Sequence, residues 1–312
     1  MNQELLAGVL RGEKSALARA LRLVEDQTAE GRELLSGLRG RGGGGHTVGV
    51  TGPPGSGKST LIGALARELR RRQARVAILA IDPSSPFTHG ALLGDRVRMQ
   101  ELTMDPGVFI RSVAGRGSIG GMAATADDLV AVLDCAGYDV ILIETVGAGQ
   151  DEVEIIGTSQ TTIVVMAPSA GDDIQALKAG ILEIADILVV NKVDHPAADL
   201  LAQQLGFFLS RPPSSPWRVP IIRTVAIDGR GVNELAETLG RHRRYLESLG
   251  GPDQRRLERA RQGLLALARR KLLERLAVAE ADSRLTDLAG AVARGELDRG
   301  EAAARLLEGL GL

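Results

Sequence analysis

Gly52-Pro53-Pro54-Gly55-Ser56-Gly57-Lys58-Ser59 constrains this chain more than any other stretch, because it fits G-x-x-x-x-G-K-[ST], a pattern whose meaning depends on a strand before it and a helix after it. Both are legible: Thr47 to Thr51 reads as a strand and Leu61 to Arg72 as a helix. Glycines at these positions let backbone N–H groups turn inward around an anion, and a helix N-terminus adds its dipole to them. The spacing therefore assigns phosphate to the loop. Lys58 would reach the outer phosphates as a point charge, the Ser59 hydroxyl would hold Mg²⁺, and Thr60 closes the run of nucleotide-binding positions.

Six further strand candidates follow: Val76 to Ile81, Val108 to Val113, Val140 to Glu144, Thr162 to Met166, Ile187 to Val190 and Ile221 to Val225. Most are continuous apolar runs, as strands covered on both faces should be. Amphipathic segments such as Met122 to Ala136 and Asp173 to Ile184 separate several of them. The alternation predicts an α/β fold with a doubly wound, mainly parallel sheet whose ligand loops gather at the C-terminal ends of the strands. Ahead of this domain, residues 3 to 24 carry leucines and valines at helical spacing with a break at Gly12-Glu13, and Glu30 to Leu38 reads as another helix. Arg39 to Gly45 reads as a flexible glycine-rich linker. Beyond Pro252, Leu257, Leu264, Leu265, Ala268, Leu272 and Leu276 form a helical stripe that must be buried against something. The expected organisation is a helical extension and linker over 1–45, a nucleotide domain over 46–250 and a helical arm over 251–312.

Composition narrows the classes. With 38 basic and 39 acidic side chains the net charge is -1, and aromatics make up 2%, so neither a polyanion-binding surface nor a base-stacking platform is expected and nucleic acid is not an expected partner. A single cysteine, Cys135, excludes an intramolecular disulfide and suits a reducing compartment. No apolar run approaches a bilayer span, and Met1-Asn2-Gln3-Glu4 lacks a basic region followed by an apolar one. No membrane association is expected, and the expected placement is cytosolic, or mitochondrial where a presequence is missing from the sequence in hand.

Asn191-Lys192-Val193-Asp194, at the end of the strand Ile187 to Val190, matches N-K-x-D, which is weak alone and strong downstream of a phosphate loop. Asp194 can accept from the N1–H and exocyclic amine of guanine together, a pairing adenine cannot offer, and a site built around such groups rejects the wrong base. Lys192 can pack along the base, and Asn191 can tie loops together. Thr224-Val225-Ala226 stands where a Ser-Ala loop often meets guanine; with no serine, Val225 and Ala226 are assigned backbone contacts alone. Asp82, in Asp82-Pro83-Ser84-Ser85, and Asp95, in Gly94-Asp95-Arg96, are two carboxylates delivered on loops as Mg²⁺ partners, direct or through water; each could instead cap a helix. Glu144-Thr145-Val146-Gly147 ends another apolar strand: Glu144 can orient a metal-bound water and the Gly147 amide can meet a γ-phosphate. Ala148 follows where a water-orienting glutamine would serve, so slow intrinsic hydrolysis is expected. His46, His89, His195 and His242 are scattered without metal-ligand spacing, so no zinc or nickel site is expected.

The combination of G-P-P-G-S-G-K-S-T, D-P-S-S with G-D-R-V-R-M, E-T-V-G-A-G-Q, S-A-G-D-D-I-Q-A-L-K-A-G-I and N-K-V-D resembles the MeaB/ArgK-type GTPases, chaperones of methylmalonyl-CoA mutase and related B12-dependent mutases. The resemblance spans nearly the whole chain. It implies GTP and GDP as ligands, GTP hydrolysis with Mg²⁺, a B12-dependent acyl-CoA mutase as partner, a homodimer built through C-terminal helices, and nucleotide-gated cofactor loading. It also implies that Asp82, Asp95 and Glu144 surround Mg²⁺ and the attacking water, and that Lys178 assists hydrolysis when the partner docks. Two alternatives stay open: a metallochaperone-type GTPase for another metalloenzyme, which should carry a His- or Cys-rich segment, and a small-molecule kinase using the same loop, which needs an acceptor pocket.

Overall fold

The computed structural model describes residues 3–42, 44–82, 100–114, 121–145, 159–168, 181–209, 216–249 and 283–309. The chain divides into two compact units, Met1–Arg259 and Ala260–Leu312. In the second, the described helices Ser283–Ala293 and Arg299–Gly309 pack on one another.

In the first unit, α1 (Gln3–Leu10), α2 (Lys14–Glu25) and α3 (Ala29–Leu38) precede β1 (His46–Thr51) and α4 (Lys58–Arg71). Then come β2 (Val76–Asp82), a single turn α5 (Gln100–Thr103), β3 (Val108–Ala114), α6 (Gly121–Cys135), β4 (Val140–Thr145), β5 (Thr161–Met166), β6 (Ile187–Asn191), α7 (Ala198–Phe208), β7 (Ile221–Thr224) and α8 (Val232–Leu249). The sheet has seven strands in the order β3-β2-β4-β1-β5-β6-β7, and every pairing between them is parallel. Of the expected helix Asp173 to Ile184, only Ile181–Ile184 lies within the described residues, where it forms a 3-10 turn.

Burial on both faces explains the unbroken apolar runs. Along β2, Ala77, Leu79 and Ile81 face one core while Val76 and Ile78 face the other, following the two-residue period of a strand. The first core is roofed by α6 through Leu129 and Leu133 and by the N-terminal helices through Val9, Leu17, Leu21 and Leu34, so α1 to α3 complete the sheet's cover. An ion pair at 2.5 Å between Arg111 on β3 and Glu25 on α2 holds that cover in register. On the other face, α4 (Leu61, Ile62, Leu65) and α8 (Leu235, Leu239) fill the second core. The glycine-rich stretch is tied down where it enters β1, because Gly45 N–H donates to Asp134 Oδ1 at 2.6 Å and a Cβ on Gly45 would stand 2.5 Å from the Tyr138 carbonyl oxygen.

From β1 the chain leaves toward β2 and from β5 toward β6, in opposite directions along the sheet. Such a switch point opens a crevice at the strands' C-terminal ends. Gly52 carries the chain out of β1 into that crevice with φ +144°, and a Cβ there would lie 2.1 Å from the Val165 carbonyl oxygen on β5.

At the opposite edge, the N-terminal ends of the strands, a polar chain joins β1, β5, α8 and the bend that leads into β6. His46 Nε2 and His242 Nδ1 each lie 2.7 Å from Thr161 Oγ1, and His242 Nε2 lies 3.5 Å from Asp186 Oδ1. Asp186 facing Nε2 favours the proton there, which leaves Nδ1 to accept from the Thr161 hydroxyl and that oxygen to accept from His46 Nε2–H. The Trp217 ring lies 4.5 Å from His242, tilted by 57°, and its Nε1–H donates to the Asp186 carbonyl oxygen at 2.8 Å. Burial pushes His242 down to about 4 and raises Asp186 to about 6, the latter against the Thr162 N–H that favours its ionised form.

Two predictions follow from these packings. Gly52→Ala should lower unfolding free energy by about 2 kcal/mol or more, since both the φ and the Val165 carbonyl oppose a Cβ, and chemical denaturation measures it. For Asp186 the ionised form is the costly one in the fold, so its penalty is absent below about 3.8 and complete above about 6. Asp186→Asn, which keeps an acceptor for Thr162 N–H, should therefore gain on the wild type as pH rises from 4 to 7, on the order of 1 kcal/mol for a carboxyl partly screened by solvent. Denaturation followed by Trp217 fluorescence reads that difference; His242 acts with the opposite sign in both proteins, lowering stability as pH falls from about 6.5 to about 4.

Candidate functional site

The phosphate loop rests on three of its glycines in different ways. Gly52 permits the close pass over β5. Gly57, at φ +91°, ends the loop where a Cβ would be 2.4 Å from the Asn191 amide nitrogen, and Gly55, at φ +78°, has open space around it. Gly57 caps α4 with no side chain of its own, which leaves the helix's first N–H groups facing the loop. Lys58 is 6% exposed and donates to the carbonyl oxygens of Gly52 at 2.8 Å and Pro53 at 3.1 Å. The Pro53 carbonyl also accepts from the Ser56 N–H, and Pro54 is exposed. Ser56 Oγ is buried and has no hydrogen-bond partner among the described residues, the kind of atom that a bound phosphate oxygen satisfies.

Ser59, in the first turn of α4, donates to Glu144 Oε1 at 2.5 Å. Glu144 is 4% exposed on β4, and it reaches the loop because β4 pairs directly with β1, Val50 opposite Glu144. A hydroxyl and a carboxylate in contact beside a phosphate loop are hard oxygen donors of the type Mg²⁺ takes, so the residues present fit that ion. Asp82 is the last residue of β2, on the far side of β4, and only its backbone is described. Asp95, Gly147 and Lys178 lie outside the described residues, as do the stretches Pro83 to Thr88 and Ala148 to Gln150 that accompany them.

The second half of the site is built by one amide. Asn191, 2% exposed at the end of β6, donates from Nδ2 to the Ser56 carbonyl at 2.9 Å. Its Oδ1 accepts from the Thr224 hydroxyl at 3.1 Å and from the Ala226 N–H at 3.0 Å. The phosphate loop and the loop after β7 are thereby fixed to the same side chain. Lys192 takes φ +59°, rare for a residue with a Cβ, and its Nζ donates to the Gly55 carbonyl at 2.8 Å, stretching the side chain back across the loop. Between these parts lies a pocket of about 330 Å³ whose wall includes Thr60, Lys192, Asp194, Val225 and Ala226.

Thr224, His195, Pro196 and Ile227 escape sequence reasoning. Thr224 replaces the missing serine in part: its hydroxyl braces Asn191. The N–H groups of both following residues are committed, Val225 to the Arg230 carbonyl at 3.1 Å and Ala226 to Asn191. His195, Pro196 and Ile227 line the pocket. Adjacency to Asp194 was a signal for the first two; for Ile227, an apolar residue inside a turn-rich Asp-Gly-Arg-Gly sequence was the only cue.

Comparison with known proteins agrees with this geometry. The family described as Methylmalonyl Co-A mutase-associated GTPase MeaB matches over residues 17–281. A protein of Pyrococcus horikoshii that carries a GTPase name is 45% identical over 260 residues, 82% of each chain. GTPase ArgK of Escherichia coli is 36% identical over 248 residues, 75% of each chain. The mouse mitochondrial protein named Methylmalonic aciduria type A homolog is 36% identical over 254 residues, covering 75% of this chain and 61% of that one. Among solved structures, one described as a LAO/AO transport system kinase superposes with a TM-score of 0.79 at 26% identity, covering 99% of this chain and 97% of the other. With a phosphate loop at the β1/β5 crevice, a base-sized pocket beside Asn191 and Asp194, and a family match running through both, the chain belongs to the MeaB family of methylmalonyl-CoA mutase-associated GTPases.

Proposed function

We propose that this protein binds and hydrolyses GTP, slowly on its own, and that its nucleotide state governs cofactor loading into a B12-dependent acyl-CoA mutase of the methylmalonyl-CoA type. The observation that carries the nucleotide part is the shared Asn191 side chain, which holds a phosphate loop and a pocket containing Asp194 at one fixed separation. The family membership carries the partner.

In this reading the guanine N1–H and 2-amino group donate to the Asp194 carboxylate, and the stem of Lys192 lies against the base. Backbone N–H groups of Gly55 to Ser59 wrap the β-phosphate, and Lys58 exchanges its carbonyl partners for phosphate oxygens. Ser59 and Glu144 would hold Mg²⁺, with Asp82 and Asp95 nearby, and the ion would neutralise charge on the β- and γ-oxygens. Water attacks the γ-phosphorus and the β–γ bond breaks, giving GDP and phosphate. Glu144 orients water beside the metal, Gly147 reports the γ-phosphate, and Lys178 supplies positive charge to the transition state once the mutase docks. Ala148 offers no group to orient the attacking water, which is the physical reason for a slow unassisted rate. The helical arm over 251–312 serves homodimer formation, its leucine stripe buried against a second copy.

Two experiments test this. Purified protein should hydrolyse GTP slowly; a methylmalonyl-CoA-type mutase should raise the rate at least tenfold, and Lys178→Ala should lose that rise while still binding GTP. No binding of the mutase and no change in rate would remove the chaperone reading, and phosphate transfer from GTP to a small acceptor would replace it with a kinase. Asp194→Asn should weaken GTP by about 100-fold or more and favour xanthosine triphosphate, whose 2-carbonyl meets the new amide N–H donor; titration calorimetry with both nucleotides checks it.

A further inference from the structure

β1 and β4 lie side by side in the sheet, but the ladder between them stops short of their ends. Its last pair is Val50 opposite Glu144, while at the next level Thr51 pairs outward with Val164 on β5 and Thr145 pairs outward with Ile81 on β2. The two flanks of this seam lead to different parts of the nucleotide site: Gly52 of the phosphate loop follows Thr51, and Glu144 precedes Thr145. A side-chain contact spans it. The Thr145 hydroxyl donates to Thr51 Oγ1 at 3.3 Å, and both threonines are 0% exposed. That distance is long for a hydroxyl pair, so what distinguishes the contact is its place rather than its strength.

By the two-residue period of a strand, Thr145 shares the face of Ile141 and Ile143, which form an apolar core with Leu79 and Ile81 of β2 and Leu129 of α6. Valine has the same shape, suits a strand and buries no hydroxyl, so packing against this core does not call for threonine. Glu144, one residue earlier, turns to the opposite face, where its Oε1 accepts from the Ser59 hydroxyl at 2.5 Å. We propose that Thr51 and Thr145 are positioning residues, whose hydroxyl pair joins β1 to β4 beyond the last ladder pair and so fixes Glu144 relative to Ser59 on the helix that β1 leads into. The inference rests on the GTP-binding reading and deepens its Mg²⁺ site: Ser59 and Glu144 serve one ion together only while β1 and β4 keep their separation. Both threonines face away from Ser59, so each acts through a neighbour. The phosphate loop keeps its own tie to Asn191 when the pair is lost, which separates the metal's contribution from phosphate and base binding.

The test is binding of a non-hydrolysable GTP analogue to the full-length protein, by titration calorimetry with excess Mg²⁺ and with EDTA in its place. It compares wild type with Thr51→Val, Thr145→Val, the double valine variant and Thr145→Ser, each with its thermal midpoint. Mg²⁺ should tighten binding to the wild type. Each single valine variant should lose about 3- to 10-fold of that tightening, while its affinity without metal stays within about twofold of wild type. The double variant should lose no more than either single one, because both remove the same contact, and Thr145→Ser, which keeps the hydroxyl, should keep the tightening. A lower thermal midpoint with the Mg²⁺ effect intact assigns the threonines to packing alone and overturns the inference, as do losses that add in the double variant. An equal loss with and without Mg²⁺ assigns them to the phosphate loop and overturns it as well. Should one valine variant fail to fold, the other tests the same bond from the opposite strand. A wild type that binds the analogue equally with and without Mg²⁺ overturns the inference and leaves nucleotide binding standing; a wild type that does not bind it removes both readings.

Discussion

Asn191 is the side chain on which the site's geometry depends. Its amide nitrogen donates to the phosphate loop at the Ser56 carbonyl, and its oxygen accepts twice, from the Thr224 hydroxyl at the end of β7 and from the Ala226 N–H of the following turn. Each bond is ordinary, about 1 kcal/mol in net terms. Their common anchor matters more than their sum, because removing the amide would take a partner from three groups on buried residues and release both loops together. Gly57 is part of the same arrangement, since any Cβ there would strike the amide nitrogen and push the phosphate loop away from its anchor.

The sheet separates two kinds of polar chemistry. At the C-terminal ends of the strands the polar groups sit in loops around a crevice opened by the reversal of chain direction at β1 and β5. At the N-terminal ends they are internal, with His46, Thr161, His242 and Asp186 bonded in series beneath Trp217. Helix α8 takes part in both regions: it follows the turn at Gly231 and carries His242 further along its length. The order of strands thus places ligand chemistry and internal bracing at opposite edges of one core.

Much of this was legible in the sequence. Continuous apolar runs marked the strands, Gly12 marked the break between α1 and α2, and the glycines of the phosphate loop announced backbone that no other residue could adopt. These are local signals. What stayed hidden was mostly a matter of distance along the chain. The leucine stripes of α1 to α3 predicted helices but not that the same face of β2 and β4 would receive them. His46 and His242 look scattered in sequence, yet share a single threonine hydroxyl contributed by β5. Ser59 and Glu144 were each assigned to the same ion, but their direct contact requires β4 to lie beside β1, which no local pattern encodes. Asp95, Gly147 and Lys178 lie outside the described residues, so their roles rest on motif and resemblance.

Lys58 adds a kinetic meaning to the loop. An ammonium buried to this depth with nothing to accept its protons would make nucleotide departure very unfavourable, because desolvated charge is costly. The Gly52 and Pro53 carbonyls give that charge a resting place, so release becomes an exchange of one set of oxygens for another.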